Sequence, residues 1–246
     1  MKKIILVSSF LALMLMVFTC NKDGSELPNV QNVDTLSEVK KENTPVDIKQ
    51  LPVDVQEYIQ NMLAMMKSDQ ESADSRSNNS KEDVIERGSN DVVGHSTLKR
   101  RNNGIHINWH SSGHVPGDAV TLWIVVAGWD ENCNPFFIDA LYGGGKVINN
   151  GGILNLNYFL TNGDNSTSIL EEFCAPGPGP GMENAYDFII HLLTRNHGPN
   201  IEGSEQLNSF SDCNPIDSDF CPPPPVTGDG SCYDYQDSIH YIDCDA

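Results

Sequence analysis

Positive charge is scarce in this chain. From residue 102 to the C-terminus only Lys146 and Arg195 are basic, against 19 acidic residues, and nothing basic follows Arg195. Across all 246 residues, 15 Lys and Arg face 34 Asp and Glu, a net charge of −19. A field of that sign repels phosphate backbones and anionic lipid, which excludes nucleic-acid binding as a main activity. There is no Cys-x-x-Cys pair, so a zinc ribbon is not expected. The Gly-x-Ser-x-Gly elbow, the Walker loop, the dinucleotide fingerprint, His-Glu-x-x-His and the EF-hand loop are all missing. Residues 21–94 contain no Trp, no Phe and a single Tyr. Composition of that kind buries too little surface to offset chain entropy, so most of this stretch is expected to be a disordered tether.

The N-terminus carries an address. Met1-Lys2-Lys3 precedes a 15-residue apolar run over residues 4–18, broken only by Ser8 and Ser9, and then Cys20. The run is short for a membrane-spanning helix and fits a signal-peptide core over residues 1–19. A cysteine directly after such a core resembles the bacterial lipoprotein signal, in which the thiol takes diacylglycerol. Cys20-Asn21-Lys22-Asp23 resembles the export signals of Bacteroidota surface lipoproteins. The competing reading is an ordinary cleaved secretory signal, and either one takes the chain out of the cytoplasm. Loss of Lys2 and Lys3 with the signal would move the charge from −19 to −21. The expectation is an outer-membrane lipoprotein of the cell envelope, surface-exposed, joined to the membrane through lipid on Cys20.

Residues 20–94 then read as the tether, with one interruption. Leu51, Val55, Ile59, Met62 and Met66 fall at helical spacing, which predicts a short helix over residues 53–67. It would either cover a domain edge, grip a partner or stay marginal within the linker. The folded domain is placed at residues 95–200, with 201–246 as its Cys-rich acidic C-terminal part. Ile105, Ile107 and Trp109 alternate with His106, Asn108 and His110, the mark of a half-buried strand. Residues 119–127 are continuously apolar and suit a central strand. Further strands are predicted at 140–142, ending in the Gly143-Gly144-Gly145 break, at 153–160 and at 186–194. Short strands with frequent Gly, Pro and Asn turns predict an all-β fold: an antiparallel β-sandwich of Greek-key type, stabilised by disulfides.

With Cys20 assigned to lipid, Cys133, Cys174, Cys213, Cys221, Cys232 and Cys244 remain. An even number in an exported chain favours three disulfides, whose connectivity the spacing leaves open. Four of them follow Arg195, where they would hold a self-repelling, loop-rich tail.

Several groupings could carry chemistry. His106 and His110 sit on one strand face about 13 Å apart at 3.3 Å per residue, too far to share one ion, so a solvated face is expected. His110 and His114 are closer across a turn. His191, Arg195 and His197 share a strand face, with Ile190 and Leu192 opposite. As one of two cations in so acidic a region, Arg195 is expected to find a carboxylate, either as a structural brace or as an anion contact. Oxygen-rich residues 229–237 could hold calcium, and no other cofactor is expected. Asp34-Thr35-Leu36 and Asp237-Ser238-Ile239 resemble short bacterial O-glycosylation sites.

Three segments together resemble an uncharacterised family of secreted bacterial β-domain proteins. They are residues 111–126 (Pro-Gly turn, then a Thr-Leu-Trp strand) running on to Cys133, residues 191–199 (His-x-x-x-Arg-x-His-Gly-Pro), and residues 205–210. The resemblance covers residues 105–240, reaches His240, and implies a single exported β domain without implying a reaction. The chain departs from it in lacking a second cysteine shortly after Cys133. The resulting expectation is a non-enzymatic binding or structural domain, displayed at the envelope, for a protein, glycan or cation partner. The rival is a metal-dependent or His-based hydrolase using His191, Arg195, His197 and His240, which requires those side chains to converge.

Overall fold

The computed structural model describes residues 45–51, 53–70, 78–170, 179–210 and 233–244. The lipidation candidate Cys20, the signal segment, Thr35, and Cys174, Cys213, Cys221 and Cys232 lie outside the described residues.

Among the described residues the fold is antiparallel β throughout, apart from one α-helix and a 3₁₀ turn at Ile48–Gln50. Helix α1 is Val53–Gln70. The strands are β1 Asn79–Glu86, β2 Val92–Arg101, β3 Gly104–Ser111, β4 Asp118–Trp129, β5 Pro135–Val147, β6 Leu154–Thr161, β7 Ile189–Pro199 and β8 Tyr233–His240. They form one sheet in the order β5-β4-β7-β8-β1-β2-β3-β6. The expected all-β, antiparallel, disulfide-bearing architecture is thus present, its two packed layers being halves of one continuous sheet that nearly closes on itself. Leu98, Ile105, Ile107, Trp109 and Leu160 from one half meet Val120, Leu122, Ile124, Val126, Ile190 and Leu192 from the other in the interior core.

Strand β4 shows why an unbroken apolar run was needed there. Its even residues enter that interior core, while Trp123, Val125 and Ala127 point to the opposite face. Helix α1 covers this outer face. Leu51 and the helical Val55, Ile59, Met62 and Met66 are all buried, packed with Phe137, Ala140, Ile189 and Phe210 in a second core. Of the roles the spacing allowed, the helix therefore covers the domain. Each such side chain contributes roughly 1.5–3 kcal/mol on burial.

The structure departs from the sequence reading in the start of the domain, the end of β5 and the content of the C-terminal segment. The domain begins before residue 95, because β1 and the start of β2 lie inside the stretch assigned to the tether. Strand β1 is polar in composition, and its buried Ser80 and Val84 are too few to signal a strand. Strand β5 does not end at its glycines. A Cβ at Gly145 would come within 2.6 Å of the Leu207 carbonyl oxygen, and Gly144 sits at φ +119°, so these glycines serve a close backbone approach and a positive φ inside the strand. Finally, the C-terminal segment contains β8, hydrogen-bonded between β7 and β1 in the middle of the sheet. Cys133, in the β4–β5 turn, pairs with Cys244 just beyond β8, their Cα atoms 5.6 Å apart.

Truncation of Ile59 to Ala should destabilise the domain by about 2–5 kcal/mol, the usual range for a buried Ile. Urea unfolding of the full chain measures it, and a change below about 0.5 kcal/mol would contradict the docking of α1.

Candidate functional site

The residues singled out around Arg195 do meet a carboxylate. Arg195 is fully buried. Its Nη1 donates to Asp234 Oδ1 at 2.9 Å, its Nε donates to the Phe210 carbonyl at 2.8 Å, and its guanidinium carbon stands 4.0 Å over the Phe210 ring. Asp234 Oδ2 accepts from the Tyr58 hydroxyl of α1 at 2.8 Å and from Arg87 Nη1 at 3.3 Å. Arg87 Nε also donates to Asp237 Oδ2 at 2.7 Å, and His191 Nε2 stands 3.6 Å from the same oxygen. A bulge in β8 makes this possible. Thr194 pairs with Gln236 but Arg195 with Asp234, so Tyr235 is extra and Asp234 and Asp237 reach the same face three residues apart.

The electrostatics follow from burial and pairing. Burial opposes the charge of Arg87, but Asp234 and then Asp237 outweigh it and hold its pKa above the ordinary value. Burial likewise works to raise Asp237, yet His191 and Arg87 bring it below the usual carboxylate range. Burial and then the Asp234 charge push Tyr58 well above 10, so it stays a phenol and donates. The two aspartates of the calcium candidate that fall among the described residues, Asp234 and Asp237, are thus engaged by guanidinium groups. Among the described residues no three His, Cys, Asp or Glu are grouped to hold a metal.

The other histidines go elsewhere. His197 Nε2 lies 2.8 Å from Thr121 Oγ1, which also accepts from Trp123 Nε1 at 2.8 Å. His240 lies on the interior face, its Nδ1 2.6 Å from Ser80 Oγ and its Nε2 2.7 Å from Ser96 Oγ. Burial, then the charge of nearby Arg100, then His191 lower its pKa to about 3. Arg100 Nη2 donates to the carbonyls of Phe188 and His240. Ser238, in one of the glycosylation-like triplets, is buried with its Oγ 2.7 Å from Ser96 Oγ, closed to a transferase in the folded state. His114 is buried against Ser111 Oγ, and burial lowers it to about 4. His191, Arg195, His197 and His240 therefore occupy three separate hydrogen-bonding environments on two faces of the sheet, and the convergence required of a hydrolase centre does not occur among them.

A different surface stays open. The outer side of β2, β3 and β6 faces away from α1 and its side chains are half-buried or exposed. The register stacks them in rungs: His95, His110 and Asn155; Thr97, Asn108 and Asn157; Lys99, His106 and Phe159. Hydrogen bonds run one way along it. His106 Nε2 donates to Asn157 Oδ1 at 3.0 Å, Asn157 donates to Asn108 Oδ1, and Asn108 donates to Thr97 Oγ1 at 3.1 Å. His95, Thr97, Asn108, His110, Asn155 and Asn157 line a shallow open groove of about 310 Å³. The expectation of a solvated histidine face catches half of this surface. The partners from β2 and β6 were invisible because register, not spacing along one strand, brings them alongside. A Cβ at Gly94 would lie 2.0 Å from the His110 carbonyl oxygen, so glycine is what lets β2 close on β3 here.

No family model, no curated protein and no solved structure matches the chain.

Two outcomes are expected. Arg195→Met removes the cation from the buried Asp234 Oδ1, leaving only Arg87 and Tyr58 on the carboxylate, and should cost about 3–5 kcal/mol in urea unfolding; a loss under 1 kcal/mol would sink the brace. The depressed pKa values of His240 and His114 also predict acid sensitivity. Both are neutral in the fold, so their contribution is complete above pH 6.5 and is lost as pH falls through about 4 and 3. By linkage, His240 alone withdraws roughly 2 kcal/mol between pH 7 and pH 5. Asp139, raised to about 6 chiefly by burial, acts in the opposite direction over part of that window. Thermal melts of wild type and His240→Gln isolate the histidine: the variant's profile should be flatter, and parallel profiles would refute the assignment.

Proposed function

We propose that this chain is an exported, lipid-anchored cell-envelope protein whose β domain binds rather than catalyses, with the open face of β2, β3 and β6 as its working surface. The observation that carries the reading is the contrast between polar groups. The buried histidines and arginines answer to interior partners, whereas the ladder through His106, Asn157, Asn108 and Thr97 stands at the surface. Its donors and acceptors are mostly neutral amides, a hydroxyl and imidazoles, beside the ring of Phe159, 41% exposed. That chemistry suits hydroxyl-rich ligands, which need directional hydrogen bonds and an apolar ring face, and an envelope polysaccharide is the ligand class it fits. A net charge of −19 disfavours anionic alternatives.

Export is supported by the signal-like residues 1–19, by Cys20, and by a disulfide between Cys133 and Cys244, of a kind that persists in oxidising compartments. The resemblance to secreted β-domain proteins agrees with it.

Two measurements test the reading. Cys20→Ser should move the protein from the membrane to the soluble fraction, and continued membrane retention would contradict the anchor. The double variant Asn108→Ala with Asn157→Ala should weaken sedimentation with isolated envelope polysaccharide about tenfold or more, while its melting temperature stays within a few degrees. Undiminished retention by the double variant, or none by wild type, would overturn the binding face.

A further inference from the structure

We propose that His95 and His110 form a two-histidine site for a divalent transition-metal ion of the imidazole-seeking kind, Zn²⁺ or Cu²⁺. This deepens the binding reading, since it lies on the same face, but it depends neither on the lipid anchor nor on a polysaccharide ligand.

The geometry begins with register. His95 of β2 and His110 of β3 are directly opposed across an antiparallel pair. Directly opposed residues hold their Cβ atoms about 4.5–5.5 Å apart, unlike the i and i+4 histidines of one strand. Their ring centroids are 5.3 Å apart and the ring planes are inclined at 45°, so the rings are tilted rather than stacked. A metal held about 2.0–2.1 Å from each imidazole nitrogen lies roughly 3.2 Å from each ring centre, and two rings at a tetrahedral angle then stand about 5.2 Å apart. The observed separation meets that requirement without movement of either strand.

One ligand is already oriented. His110 Nδ1 lies 2.6 Å from Asn155 Oδ1, an oxygen that can only accept, so the proton sits on Nδ1 and the Nε2 lone pair is left to bind. Metal-binding histidines characteristically pass their second ring N–H to a carbonyl or carboxylate in this way. His95 is half-buried and His110 exposed, so an ion reaches them from solvent. Imidazole nitrogen selects Zn²⁺ and Cu²⁺ over Ca²⁺ and Mg²⁺, which prefer oxygen. Among the described residues no third His, Cys, Asp or Glu joins the pair. The remaining positions are then filled by water or by a ligand lying along the groove, and the acidity of the chain concentrates cations around it.

The test is titration of the untagged full-length protein, stripped with chelator, with ZnCl₂ and CuCl₂ in a calorimeter. Wild type should bind one equivalent with micromolar affinity. His95→Ala and His110→Ala should each weaken binding at least tenfold, Asn155→Ala by about three- to tenfold, and His106→Ala should leave it unchanged. With Cu²⁺, electron paramagnetic resonance should show coupling to two imidazole nitrogens, falling to one in either single variant. Absence of binding, or equal affinity in wild type, His95→Ala and His110→Ala, would overturn the site. Melting curves of each variant separate loss of ligand from loss of fold. Zn²⁺ binding by a wild type that does not retain polysaccharide would overturn the wider binding reading and leave the site standing, whereas polysaccharide retention by a wild type that binds no Zn²⁺ would remove the metal site alone.

Discussion

Burying Arg195 constrains much of what surrounds it. A guanidinium without solvent is tolerated only if a carboxylate accompanies it, and Arg195 is held through its Nε and Nη1. Asp234 meets that need from the neighbouring strand, but only because a bulge turns it to the same face as Asp237. Once both carboxylates face outward, they require more than one cation, and Arg87 of β1 bridges them. Tyr58 then ties α1 to the same carboxylate through a 2.8 Å hydrogen bond. A single ionic network thus joins β7, β8, β1 and the helix, where the first and last strands pair in the middle of the sheet.

That arrangement divides the sheet into unlike halves. Around β4, β5 and β7 the outer face is apolar and lies under α1, so those strands are buried on both sides. Around β2, β3 and β6 the interior side is apolar, while the outer side carries imidazoles, amides and a hydroxyl in register. Strands of the first kind hold the domain together. Those of the second kind hold a flat array of directional donors and acceptors at a fixed 4.8 Å-scale spacing, about that between paired strands, which is the property a recognition surface needs.

The alternation of Ile105, Ile107 and Trp109 against His106, Asn108 and His110 announced β3 and its faces directly, because period-two patterning survives wherever one side is buried. The double burial of β4 was legible from its unbroken apolar run, and the docking face of α1 from its helical spacing. Strands β1 and β8 were not. Their apolar residues are few, and the stability of both comes from hydrogen bonding to strands distant in sequence and from ion pairs that composition registers only as acidity. The glycines of β5 misled in the opposite direction, since a residue chosen for close backbone approach looks the same in sequence as one chosen to break a strand.

The candidate sites divide along the same line. By itself the sequence determined the acidic balance, the β class and the need of Arg195 for a carboxylate, since each follows from composition, local periodicity or charge scarcity. Only tertiary structure decided that Asp234 would be the partner, that Cys133 would find Cys244, and that His240 would leave the His191–Arg195 group for the interior. It also decided that His110 would face His95 rather than act with His106 or His114. The disulfide joins a turn to the residues beyond β8, the other three are pairings between strands, and strand register is set by the whole sheet: a one-residue slip exchanges every partner and every face, and no single segment specifies it.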